Sequence, residues 1–251
     1  MNEIERMKKK KQKEKIGNIM FLILFSIVIS LLIYAIFYSF TPSKIDESLI
    51  EKYDLSKDII RDPIQENLSE KEVITKNMYG TELKIEKLAS YDIIGKVEAT
   101  KNYSESIVSS LLALEKMGGS IINKISPRDL ALSWGKLALD ENSTYFQADQ
   151  KVTNGSRIVM MYPESELLEK MSMSEIQKNF SNNHVIVLDK ENRRTLMKIK
   201  ATDIVRIIGY LVFVETSDGY KWGPSSLIRT DNGCEILLAE QILIMDKASV
   251  K

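Results

Sequence analysis

The sequence predicts an α+β protein, with an N-terminal transmembrane helix followed by an extracytoplasmic domain. That domain is expected to hold a small bent β-sheet or OB-like barrel with two or three helices. Three observations carry the prediction. Residues 19–40 form a run of 22 residues with no charge, Gly or Pro, enough helix to span a hydrocarbon core of about 30 Å. The last third of the chain is rich in β-branched residues and holds a hairpin signal at Asp218-Gly219. Between the two, apolar residues recur at helical spacing in short stretches.

The elements follow in chain order. Residues 1–18 carry seven Lys and Arg against three Glu, a net +4 in a chain whose total is zero, so the remainder carries −4. A basic tail before an apolar span sets the N-terminus in the cytoplasm and has affinity for anionic lipid. The span's far end is aromatic (Tyr34, Phe37, Tyr38, Phe40). A cleaved signal peptide would be shorter and would end in small residues, so a retained anchor is expected. The mildly acidic remainder argues against nucleic-acid binding, which needs a positive surface.

Residues 41–90 are rich in Lys, Glu, Asp and Ser and read as a charged stalk, with Pro63 ending any short helix there. The compact domain is expected to span 91–251, opening with a strand at 91–99. Residues 107–125 read as a helix and turn broken at Gly118-Gly119. Ser126-Pro127-Arg128-Asp129 reads as a helix start, with Ser126 as cap and Asp129 closing a capping box. That helix would bury Leu130, Trp134, Leu137 and Ala138. Strands are expected at 144–148 and 157–162, and helical turns after Pro163 that bury Leu167, Leu168, Met171 and Ile176. Residues 203–215 read as a long strand with a bulge or bend at Gly209, Tyr220 to Trp222 as its return, and 234–245 as another long strand.

No phosphate loop, dinucleotide fingerprint, zinc-protease helix or nucleophile elbow occurs. One His and one Cys cannot build a Cys/His zinc site or an internal disulfide, and no metal or cofactor is expected. The same two residues are the candidate catalytic groups. His184 follows Ser181-Asn182-Asn183 in what reads as a polar turn, and Cys234 follows a loop and opens a strand. A Cys–His pair can supply a nucleophilic thiolate. A lone Cys at a strand start is more often a small buried hydrophobe, and a lone His after two Asn more often a turn residue. Arg229, Asp231, Trp222 and Asn183 are the candidate binding residues. Asp231-Asn232-Gly233 is also what a plain turn looks like.

The order His, strands, Cys behind an N-terminal anchor resembles the sortase transpeptidases over residues 184–238. That family carries a Thr-Leu-x-Thr-Cys signature and a later arginine. Here Thr230-Asp231-Asn232-Gly233-Cys234 shares only the first Thr, and no arginine follows Cys234. Four segments together resemble an uncharacterised family of small bacterial membrane-tethered proteins: Ser126 to Gly135, Ser181 to His184, Asp203 to Val212, and Ser225 to Glu235. The loop from Asp231 to Cys234 is shorter here than in that family. This resemblance implies a bacterial cell envelope and no particular activity.

The expected function is therefore a membrane-anchored envelope protein whose outer domain binds a partner protein or cell-wall component without catalysis. A cysteine-dependent enzyme, transpeptidase- or peptidase-like and using Cys234 and His184, is the alternative. A structural subunit of a membrane complex is a third reading, with Ser26 and Ser30 on one face of the anchor. The bilayer and an envelope protein are the expected partners.

Overall fold

A computed structural model of the chain describes residues 20, 23–30, 59–103, 119–153, 156–224, 227 and 234–245. The chain divides into two compact units, Met1–Ile45 and Asp46–Lys251. In the first unit, residues 23–30 are helical and exposed. The Ser26 hydroxyl donates to the Ile23 carbonyl at 2.8 Å, so this polar side chain is satisfied within its own helix. Among the described residues no helix is long and apolar enough to cross a membrane. Most of the expected anchor lies outside the described residues.

The second unit is α+β and strand-rich. Its strands are β1 (Ile64–Met78), β2 (Thr81–Asn102), β3 (Arg128–Ser133), β4 (Phe146–Thr153), β5 (Ser156–Pro163), β6 (Phe180–Ile186), β7 (Ile204–Thr216), β8 (Lys221–Trp222) and β9 (Cys234–Met245). Among the described residues, short helices intervene: α1 (Gly119–Ile125), α2 (Asp140–Ser143), α3 (Ser165–Leu168), α4 (Met173–Lys178) and α5 (Lys190–Lys198). The main sheet runs β1-β2-β3-β6-β9-β7-β8, and β2 also pairs with β7. Hydrogen bonding therefore closes a ring through β2, β3, β6, β9 and β7. Every ring pairing is antiparallel except β6 with β9.

Closure follows from the bends. The β2–β7 register shifts between Lys87 and Ala89, and the β7–β9 register shifts between Ile208 and Gly209. A bulge adds a residue to one strand and sharpens its twist. At Gly209 a Cβ would overlap the Leu238 carbonyl oxygen, so the close approach of β7 to β9 requires glycine there, as expected for a bend at this position.

One apolar cluster takes side chains from all five ring strands, among them Tyr91, Leu130, Val185, Ile207 and Leu237, and from Leu196 and Ile199 around α5. Arg128 donates to the carbonyls of Leu196 at 3.1 Å and Ile199 at 2.5 Å, satisfying the end of that helix. Side chains alternate along a strand, so the neighbours of these residues face outward. On the outer face α1 covers β2, β7 and β9 with Ile121, Ile122 and Ile125. A third cluster joins Ala131 and Phe180 to Leu137, Phe146, Leu167, Met171 and Ile176.

Three expectations need correction. Arg128 to Ser133 is a strand, not the first turn of a helix. All six of its residues are buried, so it lacks the alternation that marks a half-exposed strand, and a short fully buried run has no period to separate strand from helix. The chain turns at Gly135 (φ +60°) into a short 3₁₀ helix. Residues expected at the end of a stalk instead form β1 and the start of β2. β1 is a largely exposed edge, so its Lys and Glu face solvent and look like linker composition. Ser181 to His184 is not a turn but part of β6, buried along its whole length.

Candidate functional site

Three ring strands bring their polar residues to one patch of the outer face. Asp129 on β3 stands directly across from His184 on β6, and Asn182, two residues earlier on that strand, pairs with Cys234 at the start of β9. The spacing of two puts Asn182 and His184 on the same side of the sheet. Asp129 and His184 are 0% and 3% exposed, while Cys234 is half-buried.

His184 Nδ1 lies 2.8 Å from Asp129 Oδ2. The contact is an ion pair between two buried side chains. The Cys234 thiol donates to the Arg157 carbonyl at 3.8 Å, and its side chain also acts electrostatically on the same ring. Burial pulls the imidazole down, but its interactions with Asp129 first and Cys234 next outweigh it. The balance holds His184 at about 9, above its ordinary 6.5. At neutral pH the ring is an imidazolium set between a carboxylate and a sulfur.

The β4–β5 hairpin closes the patch. Arg157 of β5 donates from Nη1 to Asp129 Oδ1 at 2.9 Å and to Ser126 Oγ at 3.2 Å. Its Nη2 donates to Asn123 Oδ1 at 2.6 Å and to the Ser126 carbonyl at 3.1 Å. The guanidinium also lies 3.8 Å from the ring centre of Tyr103 and 5.5 Å from that of Trp222, a stacked cation. It is so fully engaged that it acts as a clamp on Asp129. Trp222 stands against the histidine, with ring centres 5.3 Å apart. Burial, and next the Asp129 charge, push the Tyr103 phenol up, so it stays neutral. Beside the sulfur, Asn182 Nδ2 is 3.6 Å from Cys234 Sγ, and Asn182 Oδ1 accepts from Gln150 Nε2 on β4 at 2.6 Å.

Of the residues expected from sequence, His184, Cys234 and Trp222 come together. Asn183 faces the other side of β6, where its amide donates to Leu130 and Ser181, away from the patch. Arg229 and Asp231 lie outside the described residues. Sequence reasoning missed Asp129, Arg157, Asn182 and Gln150. A signal existed for two of them, since Asp129 and Asn182 are polar residues at the mouths of apolar runs. Gln150 and Arg157 carried none, because the hairpin delivers them from far along the chain.

No group of three or more His, Cys, Asp or Glu among the described residues forms a metal cluster. No family model, curated protein or solved structure matches the chain. What the patch does must therefore be argued from its own chemistry.

Proposed function

We propose that the domain is a cysteine-dependent acyl-transfer enzyme, of transpeptidase or peptidase kind. Cys234 is the nucleophile, His184 the general base and acid, and Asp129 the group that orients the imidazole. One observation carries this reading: three strands place Asp129, His184 and Cys234 on one face, with Asp129 against His184 and Cys234 across from Asn182, two residues before the histidine. Nδ1 faces Asp129, which leaves Nε2 to serve the sulfur, the arrangement a nucleophile, base and orienting acid require.

The Cys234 thiolate adds to the carbonyl carbon of an acyl substrate, forming a C–S bond and a tetrahedral oxyanion. The imidazolium then gives its proton to the departing amine or alcohol as that bond breaks, leaving a thioester on Cys234. Water or a second amine, deprotonated by the now neutral His184, attacks the thioester and returns the thiolate. Arg157 holds Asp129 in place throughout, and the Trp222 ring supports the imidazole.

Intact mass after incubation with p-nitrophenyl acetate tests the reading. The expected result is one acetyl group on Cys234, formed on the order of 10²-fold more slowly in His184→Ala. A wild-type chain that stays unmodified would remove the enzyme, and the non-catalytic binding of an envelope partner would take its place.

The apolar run at 19–40 supports a membrane tether with an extracytoplasmic domain. The ring order, with α5 between β6 and β7, supports an OB-like barrel. Alkaline carbonate washing of cell membranes should leave the full chain in the pellet, and release into the wash would contradict the tether.

A further inference from the structure

The enzyme reading leaves one step without a partner: the tetrahedral intermediate puts a negative charge on an oxygen that some donor must meet. Arg157 is the obvious cation, but its terminal nitrogens already serve Asp129, Ser126 and Asn123. Asn182 is differently placed. Its carboxamide is 1% exposed and directly across the ladder from Cys234. Gln150, itself 3% exposed, donates to Asn182 Oδ1 at 2.6 Å. In this arrangement the Asn182 oxygen turns to Gln150 and the NH₂ turns to the sulfur at 3.6 Å. Both amides are buried, and although Gln150 Oε1 has no hydrogen-bond partner, the bond between them satisfies Asn182 Oδ1.

The oxyanion would sit two bonds from Sγ. Asn182 is a donor already beside the sulfur, and neither of its two N–H bonds is used by Gln150, which donates to its oxygen. We propose that Asn182 is the oxyanion donor of this site and that Gln150 is a positioning residue that fixes its orientation. This rests on the thiol-enzyme reading and adds a catalytic residue to it.

The test compares two reactions of the same sulfur in the full-length protein. Acetylation by p-nitrophenyl acetate passes through an oxyanion, whereas alkylation by iodoacetamide displaces iodide and forms none. Asn182→Ala is expected to slow acetylation by about 10² to 10³-fold while changing alkylation by less than threefold. Gln150→Ala, with Asn182 free to rotate, is expected to slow acetylation by a smaller factor through kcat and not KM, with alkylation again retained. Equal loss of both reactions in Asn182→Ala would overturn the proposal, since Asn182 would then be serving the thiol or the fold. Asn182→Asp, close in shape but without the NH₂ group, guards against the latter: a folded Asp variant that acetylates at the wild-type rate would also overturn it. Wild type that alkylates but never acetylates would instead sink the enzyme reading itself.

Discussion

Asp129 carries two duties with its two oxygens, and the fold separates them. Oδ1 accepts from the Arg157 clamp at 2.9 Å, and Oδ2 faces His184 at 2.8 Å. Removing the charge while keeping the shape should expose how much it does. In Asp129→Asn the histidine loses its strongest favourable partner, and only Cys234 is left to oppose burial, so its titration falls. Because the chain has one histidine, its Hε1 proton NMR signal reports the site without assignment work. The wild-type signal should titrate near pH 9, and the Asn variant's should titrate at clearly lower pH. The sign for stability follows from the raised value: the contribution is full below about pH 6.5 and is lost as pH rises through about 9. A melting temperature that is level across that window, or that rises, would contradict the assignment. None of this was legible in the sequence around Asp129, where Ser126-Pro127-Arg128-Asp129 satisfies every local rule for a helix start. Burial on both faces overrode those rules, and the residues that make Asp129 buried lie on β6 and β5.

The elements divide by how local their signals are. β7 was legible because it is long and rich in β-branched residues, and β9 because it is a long apolar run, with 234–245 matching it. Their junction at Gly209 was legible for the same reason: a glycine inside such a run has no other use than a bend or a close approach. Gly209→Ala would drive a methyl group into the Leu238 carbonyl and should destabilise the domain by roughly 1–3 kcal/mol, the usual range for overpacking. Urea unfolding measures this, and a midpoint equal to wild type would show that the β7–β9 approach is looser than described. β3 and β6 were hidden for the opposite reason. They are short and buried on both faces, so neither displays a period. The edge strand β1 was hidden by its charge. A strand with one face in water and no partner on its outer side is built from the same residues as a linker.

At the scale of the molecule, the site exists only because the ring closes. Asp129, His184 and Cys234 are far apart in sequence, and they meet through one antiparallel and one parallel pairing. The parallel pairing is the decisive one. It brings the N-terminal end of β9 beside the middle of β6, so a cysteine that opens its strand arrives level with Asn182. The sequence marked His184 and Cys234 as the two residues worth watching, since each occurs once, but it could not show that they share a face. The unfolded chain should therefore hold an ordinary thiol, and the reactivity should be a property of the assembled ring. The most direct measurement is the rate of iodoacetamide alkylation of Cys234 against pH, in the folded full-length chain, in His184→Ala, and in the urea-unfolded protein. The only cysteine in the chain makes the label unambiguous. A folded wild type that already reacts at its full rate at neutral pH, with that rate lost in the alanine variant and after unfolding, is the result expected of a thiolate held by His184. A folded thiol that follows the same pH curve as the unfolded chain, with or without the histidine, would contradict it.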